Sequence, residues 1–423
     1  MTGENALRTG LTGETKLRTG LIGERLSHSL SPHLHALLGD KSYRLIELAP
    51  GELESFVRSD EWDALNVTIP YKRDVMAFCD ELSERARSIG SVNTLVRRGG
   101  RIFGDNTDFA GFCDLVRGTS FSGKKVCVLG SGGASLTVQA ASRALGAREI
   151  VVVSRRGEVT YADVGCYADA DILVNTTPVG MFPDTDECPI DLAAFESLEA
   201  VFDLIYNPLR TVLVTEARRR GIAAVGGMRM LCTQAYEARR VFGDEPEMTE
   251  CEFFRRALRA NENVVFVGMP GCGKSTLGRV IAERFKKTFV DTDNEIVKRA
   301  GKPIPEIFAE SGEAAFRDLE SAVVAEVASR FGQSVATGGG AILREENRRA
   351  IKANSFVIWL DCPLENLSTA NRPLSSSPEA VQKLWRERGA IYREIADVRI
   401  AVDPNNARNV SRIIGSLERR YQK

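Results

Sequence analysis

Two stretches of this chain, KVCVLGSGGAS (125–135) and NVVFVGMPGCGKST (263–276), run from an apolar, β-branched segment straight into a glycine-rich turn. An amphipathic helical pattern follows each turn, LTVQAASRALG after the first and TLGRVIAERF within and after the second. Short continuous apolar runs read as buried parallel strands. A glycine turn that opens a helix aims backbone N–H groups and the positive helix end at an anion. The two units lie 138 residues apart, counted from Gly130 to Gly268. That spacing predicts two separate nucleotide-binding units in an α/β chain built on strand–helix alternation. A further apolar run, EIVVVS (149–154), extends the first unit. At 423 residues the chain also exceeds what one hydrophobic core usually supports.

The charge balance limits the partners. With 56 basic and 57 acidic side chains, the net charge of −1 gives no general attraction to nucleic acid or a membrane surface. Small molecules are the expected ligands, with a homodimer left open, and anions must be held by local constellations. No run approaches the roughly 18 apolar residues of a membrane span, and MTGENALRTG lacks the apolar stretch of a secretory signal. Nine dispersed cysteines without a C-x-x-C pair read as reduced thiols of a cytoplasmic protein. The three histidines, His28, His33 and His35, crowd one short stretch with no neighbouring Cys, Asp or Glu to complete a metal shell. Beyond residue 35, acid–base chemistry therefore falls to Lys, Asp, Glu, Tyr or Cys. LTGETKLRTG (11–20) nearly repeats TGENALRTG (2–10), far too short a period for a solenoid. Residues 1–20 are expected to form a disordered or loosely attached extension.

In the second unit, GMPGCGKST (268–276) satisfies G-x-x-x-x-G-K-[ST] between a strand and a helix. Gly271 and Gly273 free the backbone to wrap a β-phosphate, Lys274 neutralises β and γ oxygens, and Ser275, followed by Thr276, can ligate Mg²⁺. D-T-D at 291–293 follows KTFV, so Asp291 and Asp293 are expected on one face of an extended segment. One can hold Mg²⁺ through water while the other accepts hydrogen bonds from a substrate hydroxyl. A solvated acidic turn is the plainer reading of D-T-D-N alone. Arg317 and Glu320 stand at i and i+3 on a helix whose buried stripe is Phe316, Leu319, Val323 and Val327, where a structural salt bridge is the plainer reading.

The G-K-S turn, D-x-D, G-E-x-x-F-R-x-x-E (312–320), GGG (338–340), R-P-L (372–374) and R-x-x-x-Y (388–392), in this order, resemble shikimate kinase over about 160 residues. The resemblance implies ATP and Mg²⁺, with Asp293 on the substrate hydroxyls and available as base, and Ser275 and Asp291 left for the metal. It also implies that Arg317 and Arg388 grip a carboxylate, that Gly339 meets the substrate, and that Arg372 sits on a lid over the phosphates. Two guanidinium forks suit a planar carboxylate. The sequence departs from the family at Ala390, where a proline is usual, and in a short segment before Arg372. Asp361 of WLD is expected only to end a strand.

In the first unit, GSGGAS (130–135) places Gly130, Gly132, Gly133 and Ala134 at a dinucleotide-type turn, with Ser135 where a third glycine is usual. EIVVVS ends in Ser154-Arg155-Arg156 rather than an acidic residue, which suits a 2′-phosphate and so NADP(H) over NAD. Around it, HSLSP (28–32), NVTIPYK (66–72), SVNT (91–94), GDNTD (104–108), NTTPVGM (175–181), DLIYNP (203–208) and GGMRMLCTQA (226–235) are together similar to shikimate dehydrogenase from residue 21 to about 259. By that resemblance Ser29 and Ser31 hold a substrate carboxylate. Thr68, Asn93, Asp108 and Gln234 hold hydroxyls, Tyr206 lines the site, and Lys72 with Asp108 is the catalytic pair. Only about 14 residues follow Arg156 before DILVNTTP, so the usual crossover helix is expected to be missing or vestigial.

The implied architecture is a dehydrogenase substrate domain over 21–118, rejoined by 232–259, a Rossmann-type NADP domain over 119–231, and a parallel-sheet P-loop kinase domain over 260–423. The implied activity is NADPH-dependent reduction of 3-dehydroshikimate to shikimate, then its phosphorylation by ATP. A quinate-type dehydrogenase joined to a kinase of another small polyol, or one catalytically dead half, are the competing readings.

Overall fold

A computed structural model describes residues 17–26, 29–367 and 377–422. Three sheets organise them. The first is mixed, with β1 (Thr19–Gly23), β2 (Arg44–Glu47), β3 (Ala64–Val67), β4 (Glu81–Leu82), β5 (Thr94–Arg98) and β6 (Arg101–Asp105) in the order β2-β1-β3-β5-β6-β4. β1 runs parallel to β3, β5 runs antiparallel to β3, and β6 returns antiparallel to β5. The ends of β1, β3 and β6 and the start of β5 therefore meet at one edge, where SVNT and GDNTD come together.

β1 begins inside the second copy of the N-terminal repeat, so the expected extension over 1–20 is too long. The strand is central and pairs on both sides, Gly20 with Arg44 and Thr19 with Ala64, and this register recruits the end of the repeat. A Cβ at Gly20 would lie 2.7 Å from the Arg44 carbonyl, so the repeat's glycine fits where another residue would collide. Arg18 also pairs with Asp63 at 2.9 Å. Residues 1–16 lie outside the described residues.

The second sheet is wholly parallel: β7 (Lys125–Leu129), β8 (Glu149–Val153), β9 (Ile172–Asn175), β10 (Ala200–Asp203) and β11 (Ala223–Gly226), in the order β11-β10-β9-β7-β8. The third is parallel too: β12 (Asn263–Val267), β13 (Thr288–Asp291), β14 (Gln333–Ala336), β15 (Ser355–Asp361) and β16 (Val398–Ala401), in the order β13-β14-β12-β15-β16. β7 and β12, the two apolar runs that precede the glycine turns, are buried along their length at the points where strand order reverses. Ligands of open α/β sheets bind outside the carboxyl ends of strands at such points. Between β8 and β9 a 3₁₀ turn, Tyr161–Tyr167, stands where a crossover helix is usual, as the short connection expected. Asp361 ends β15 and pairs with Arg399.

His35 is a core residue. Its ring is buried and stacks on Tyr43 with centroids 3.8 Å apart. Burial, helped by the Arg239 cation and opposed by Asp40, lowers its pKa to about 3. An unfolded imidazole titrates near ~6.5, so neutral His35 contributes stability that is complete above that pH and is lost as pH falls toward 3. Between pH 7 and 5 the wild type should lose about 2 kcal/mol more unfolding free energy than His35→Phe. Denaturant unfolding at both pH values checks this, and equal losses in the two proteins would contradict it.

Two candidate active sites

At the edge of the first sheet, Lys72 Nζ donates to Asp108 Oδ2 at 2.6 Å, and both side chains are largely buried. Lys72 lies in the turn after β3, held by Val92 N–H donating to its carbonyl at 2.7 Å. Asp108 opens the helix Asp108–Leu115. Three residues on, a Cβ at Gly111 would lie 2.7 Å from the Met230 carbonyl and 3.4 Å from Gln234 Cβ. This glycine lets the helix Met228–Val241 cross closely, so Gln234 comes beside the face that carries Asp108.

The sequence-predicted residues divide at this point. Ser29 and Ser31 are adjacent, with Ser31 N–H donating to Ser29 Oγ at 3.2 Å, and Tyr206 packs against the cluster of Leu30 and Leu34 beside them. Thr68 is half-exposed beside Gly23. Asn93, however, is buried with both ends of its amide engaged. Its Oδ1 accepts from Thr107 N–H at 2.7 Å, and its Nδ2 donates to Thr107 Oγ1 at 3.1 Å. Asn93 therefore shapes the turn that presents Asp108. Asn106, missed in the sequence although it stands within GDNTD, donates to the Ser91 carbonyl at 2.9 Å and to Thr137 Oγ1 at 3.1 Å. Thr137 lies on the helix Gly133–Ala144 that follows β7, so Asn106 ties the first sheet to the second.

The glycine turn after β7 is built for close approach. Gly130 has φ +104°, and a Cβ there would lie 2.7 Å from Thr176 Oγ1. A Cβ on Gly133 would lie 3.0 Å from both Lys72 Cβ and Ser91 Oγ, so the turn rests directly against the lysine. Gly132 caps the helix and Ala134 continues it. Ser135, in place of a third glycine, is buried and accepts from Gln139 Nε2 at 3.1 Å, which explains its tolerance. Past β8, Ser154 is buried while Arg155 and Arg156 are exposed in the turn. The charges are free to meet a phosphate. These features fit a dinucleotide: a cradle that side chains would fill, a helix N-terminus, and two cations one strand away.

In the third sheet, Gly271 (φ +87°) and Gly273 (φ +93°) shape the turn after β12, and Gly273 caps the helix Lys274–Phe285. Lys274 Nζ donates to the carbonyls of Gly268 and Met269 at 2.8 and 2.9 Å, folding the cation into the turn. Thr276 is exposed one turn on. Ser275 Oγ donates to Asp291 Oδ2 at 2.6 Å, which brings together the two groups expected at Mg²⁺. Asp291 and Asp293 do not share an extended segment, contrary to the expectation from alternation. Asp291 ends β13 and its side chain accepts from Asp293 N–H at 3.1 Å, while Asp293 lies in the first turn of the helix Thr292–Ala300. Capping by the first carboxylate turns the chain into a helix and separates the roles of the two.

The helix Ile304–Ser329 breaks at Gly312 (φ 79°, ψ 175°), just before the E-x-x-F-R-x-x-E stretch. Arg317 Nη1 pairs with buried Glu320 at 2.7 Å. Burial raises the Glu320 carboxyl, and the cations of Arg317, Arg388 and Arg344 oppose that rise. Arg388 is itself buried, and among the described residues its Nε has no hydrogen-bond partner. Arg317 is thus ion-paired with Glu320, and the Arg388 cation acts on the same carboxylate through space. The three glycines after β14 fit tightly among these groups. A Cβ on Gly338 would lie 2.6 Å from Asp293 Oδ1, on Gly339 2.8 Å from Pro270, and on Gly340 2.5 Å from Arg317 Nη1. Tyr392 Oη donates to the Gly339 carbonyl at 2.6 Å, fixing this loop. Arg372 lies outside the described residues.

Comparison with known proteins bears on both sites. Residues 21–95 match the family model for the shikimate dehydrogenase substrate binding domain, and residues 270–418 match that for shikimate kinase. The shikimate dehydrogenase (NADP(+)) of Caldicellulosiruptor bescii is 37% identical over 252 residues, covering 52% of this chain and 86% of its own. The shikimate kinase of Symbiobacterium thermophilum is 40% identical over 172 residues, covering 38% of this chain and 99% of its own. Among solved structures, a chorismate mutase/shikimate 5-dehydrogenase fusion from Clostridium acetobutylicum superposes with a TM-score of 0.52 at 35% identity, covering 56% of this chain and 95% of that one. Shikimate 5-dehydrogenase from Thermus thermophilus, solved with NADP(H) and shikimate, gives 0.51 at 32% identity, covering 57% and 100%. Among the described residues no helix is long and apolar enough to cross a membrane.

Proposed function

We propose an activity that starts from membership: the chain belongs to the shikimate dehydrogenase family through its N-terminal half and to the shikimate kinase family through its C-terminal half. It is a bifunctional enzyme that reduces 3-dehydroshikimate with NADPH and phosphorylates the resulting shikimate with ATP. The observation that carries this reading is the presence of two complete and chemically different constellations. One is the Lys72–Asp108 pair against the turn at Gly133; the other is Lys274, Ser275 and Asp291 beside Asp293 and Arg317.

Each constellation has a job that its chemistry suits. NADPH supplies hydride and ATP supplies the phosphoryl group. As hydride adds to the ketone carbon, negative charge grows on the oxygen. Lys72, held by Asp108 and shielded from water, protonates or steadies that oxygen. Ser29, Ser31, Thr68, Asn93, Gln234 and Tyr206 orient the acid and its hydroxyls, with Asn106 fixing the frame beneath. In the kinase half Asp293 orients the acceptor hydroxyl and takes its proton. Arg317 and Arg388 hold the carboxylate, Gly339 offers backbone, and Arg372 covers the phosphates. Lys274 leaves its own turn carbonyls to meet the phosphate charge, while Ser275 and Asp291 would hold Mg²⁺. Nine dispersed free cysteines support the reading of a cytoplasmic enzyme.

Initial rates with 3-dehydroshikimate or 3-dehydroquinate and NADPH or NADH test the first half. The NADPH–dehydroshikimate combination should be strongly preferred, and equal use of all four combinations would sink the assignment. Removing both cations after β8, as Arg155→Ser with Arg156→Ser, should raise the KM for NADPH about 10- to 100-fold and leave that for NADH nearly unchanged. An unchanged KM for NADPH would show that these arginines do not read the 2′-phosphate.

A further inference from the structure

The segment after β10 belongs to both halves of the molecule. At its start Asp203 is fully buried, accepting from Thr211 Oγ1 at 2.6 Å, Asn175 Nδ2 at 3.0 Å and Ile205 N–H at 3.1 Å. The segment is thus a closed loop tied at 203 and 211. Tyr206, within it, packs against the cluster of Leu30, Leu34 and Met228, beside the candidate carboxylate-binding serines Ser29 and Ser31. On one side the loop lies against Gly226 and Gly227, where a Cβ would approach the Leu209 carbonyl to 2.7 Å and the Leu204 carbonyl to 2.1 Å. No side chain at either glycine leaves the loop in place.

On the other side the loop meets the kinase half. Leu209 N–H donates to Asn354 Oδ1 at 2.8 Å, and Arg210 N–H to the Ala353 carbonyl at 2.9 Å. The Leu209 side chain packs against both the kinase core and the cluster around Leu30, Leu34 and Met228. Arg210, mostly buried, reaches Asp397 at 3.4 Å and the fully buried Glu262 at 3.7 Å. Glu262 keeps a second cation, Arg420, at 2.7 Å. Ala353, Asn354, Glu262 and Asp397 all stand just before their strands β15, β12 and β16, at the sheet edge opposite the phosphate-binding turn. The helix Glu250–Asn261 strengthens the junction: Phe253 packs in the dehydrogenase cluster and Leu258 in the kinase core, and the helix leads into β12.

The geometry points to a second role for the kinase half: it braces the dehydrogenase's substrate loop. Arg210 is a positioning residue that, with Leu209, holds the loop so that Tyr206 stays packed against the cluster that flanks Ser29 and Ser31. This rests on the reading of Ser29 and Tyr206 as substrate contacts. It makes the two enzymes structurally dependent in one direction only, because the contacts on the kinase side lie away from its own site. Loss of the brace relaxes the loop that orients the substrate acid and leaves the glycine turn that meets NADPH untouched.

The test is steady-state kinetics of the full chain carrying Arg210→Met and, separately, Leu209→Ala. Glu262 remains paired with Arg420 in both, so no buried carboxylate is stranded. The expected result is a KM for 3-dehydroshikimate raised about fivefold, the value of roughly one hydrogen bond. The KM for NADPH and both kinase constants should be unchanged, and the kinase rate of the same molecule reports that the chain is folded. An unchanged KM for 3-dehydroshikimate in both variants overturns the brace. So does a parallel loss of NADPH affinity or kinase activity, which would make Arg210 a general stabiliser of the fold. The activity of the wild-type chain tests the functional assignment; only the difference between wild type and variants tests the brace.

Discussion

Lys72→Ala should lower the turnover of 3-dehydroshikimate reduction about 10³-fold or more while ATP-dependent phosphorylation of shikimate continues at the wild-type rate. The size follows from the two things the ammonium does. A positioned proton donor is worth ~10²–10⁴ in rate, and a fixed charge at a developing oxyanion is worth ~10²–10³. No other group can take over, since among the described residues the only side-chain partner within 2.6 Å of Lys72 Nζ is a carboxylate, Asp108. The substitution leaves Asp108 without its cation in a largely buried position, so some loss of stability should accompany it. The loss belongs in kcat, not in the KM for NADPH, because Gly133 of the nucleotide turn lies against the aliphatic Cβ and Cδ of Lys72 while the ammonium is turned to Asp108. Kinetics of both reactions on one preparation check this. Reduction within tenfold of wild type would remove Lys72 from the chemistry.

Lys274→Ala should do the reverse, lowering the kinase rate on the order of 10²- to 10³-fold and sparing reduction. Among the described residues its ammonium bonds to the Gly268 and Met269 carbonyls and, at 3.9 Å, to Cys272 Sγ. Carbonyl bonds hold a cation in reserve without neutralising it, so phosphate oxygens can replace them. Loss of reduction in this variant would contradict the independence of the two chemistries, because the kinase turn and the dehydrogenase loop meet opposite edges of the third sheet.

What the sequence makes legible here is chiefly local. Gly130, Gly133, Gly271 and Gly273 could be placed because a strand, a tight turn and a helix follow one another within a dozen residues, each with its own pattern. Lys72 and Asp108 lie 36 residues apart, and only the family resemblance brought them together before their 2.6 Å contact did. Alternation misplaced Asp293, since a strand's period was carried one residue too far; Asp291 is a good helix cap, and that signal marks the change. Asn93 reads as a ligand only through the family resemblance, and pairing across the turn ties its oxygen and one of its two amide N–H groups to Thr107. The start of β1 at Thr19 and the anchoring of Arg210 to Glu262 and Asp397 depend on pairing across long stretches of sequence, which no local pattern reveals.

The two reactions are joined by one atom: the hydroxyl that accepts phosphate does not exist until the ketone has been reduced. Incubating the full chain with 3-dehydroshikimate, ATP and Mg²⁺, and following ADP and phosphorylated product before and after adding NADPH, tests that order directly. The account predicts no product before NADPH, then one ADP and one NADP⁺ for each shikimate 3-phosphate formed. Phosphorylated product without NADPH, or NADPH oxidation never followed by ADP, would contradict it.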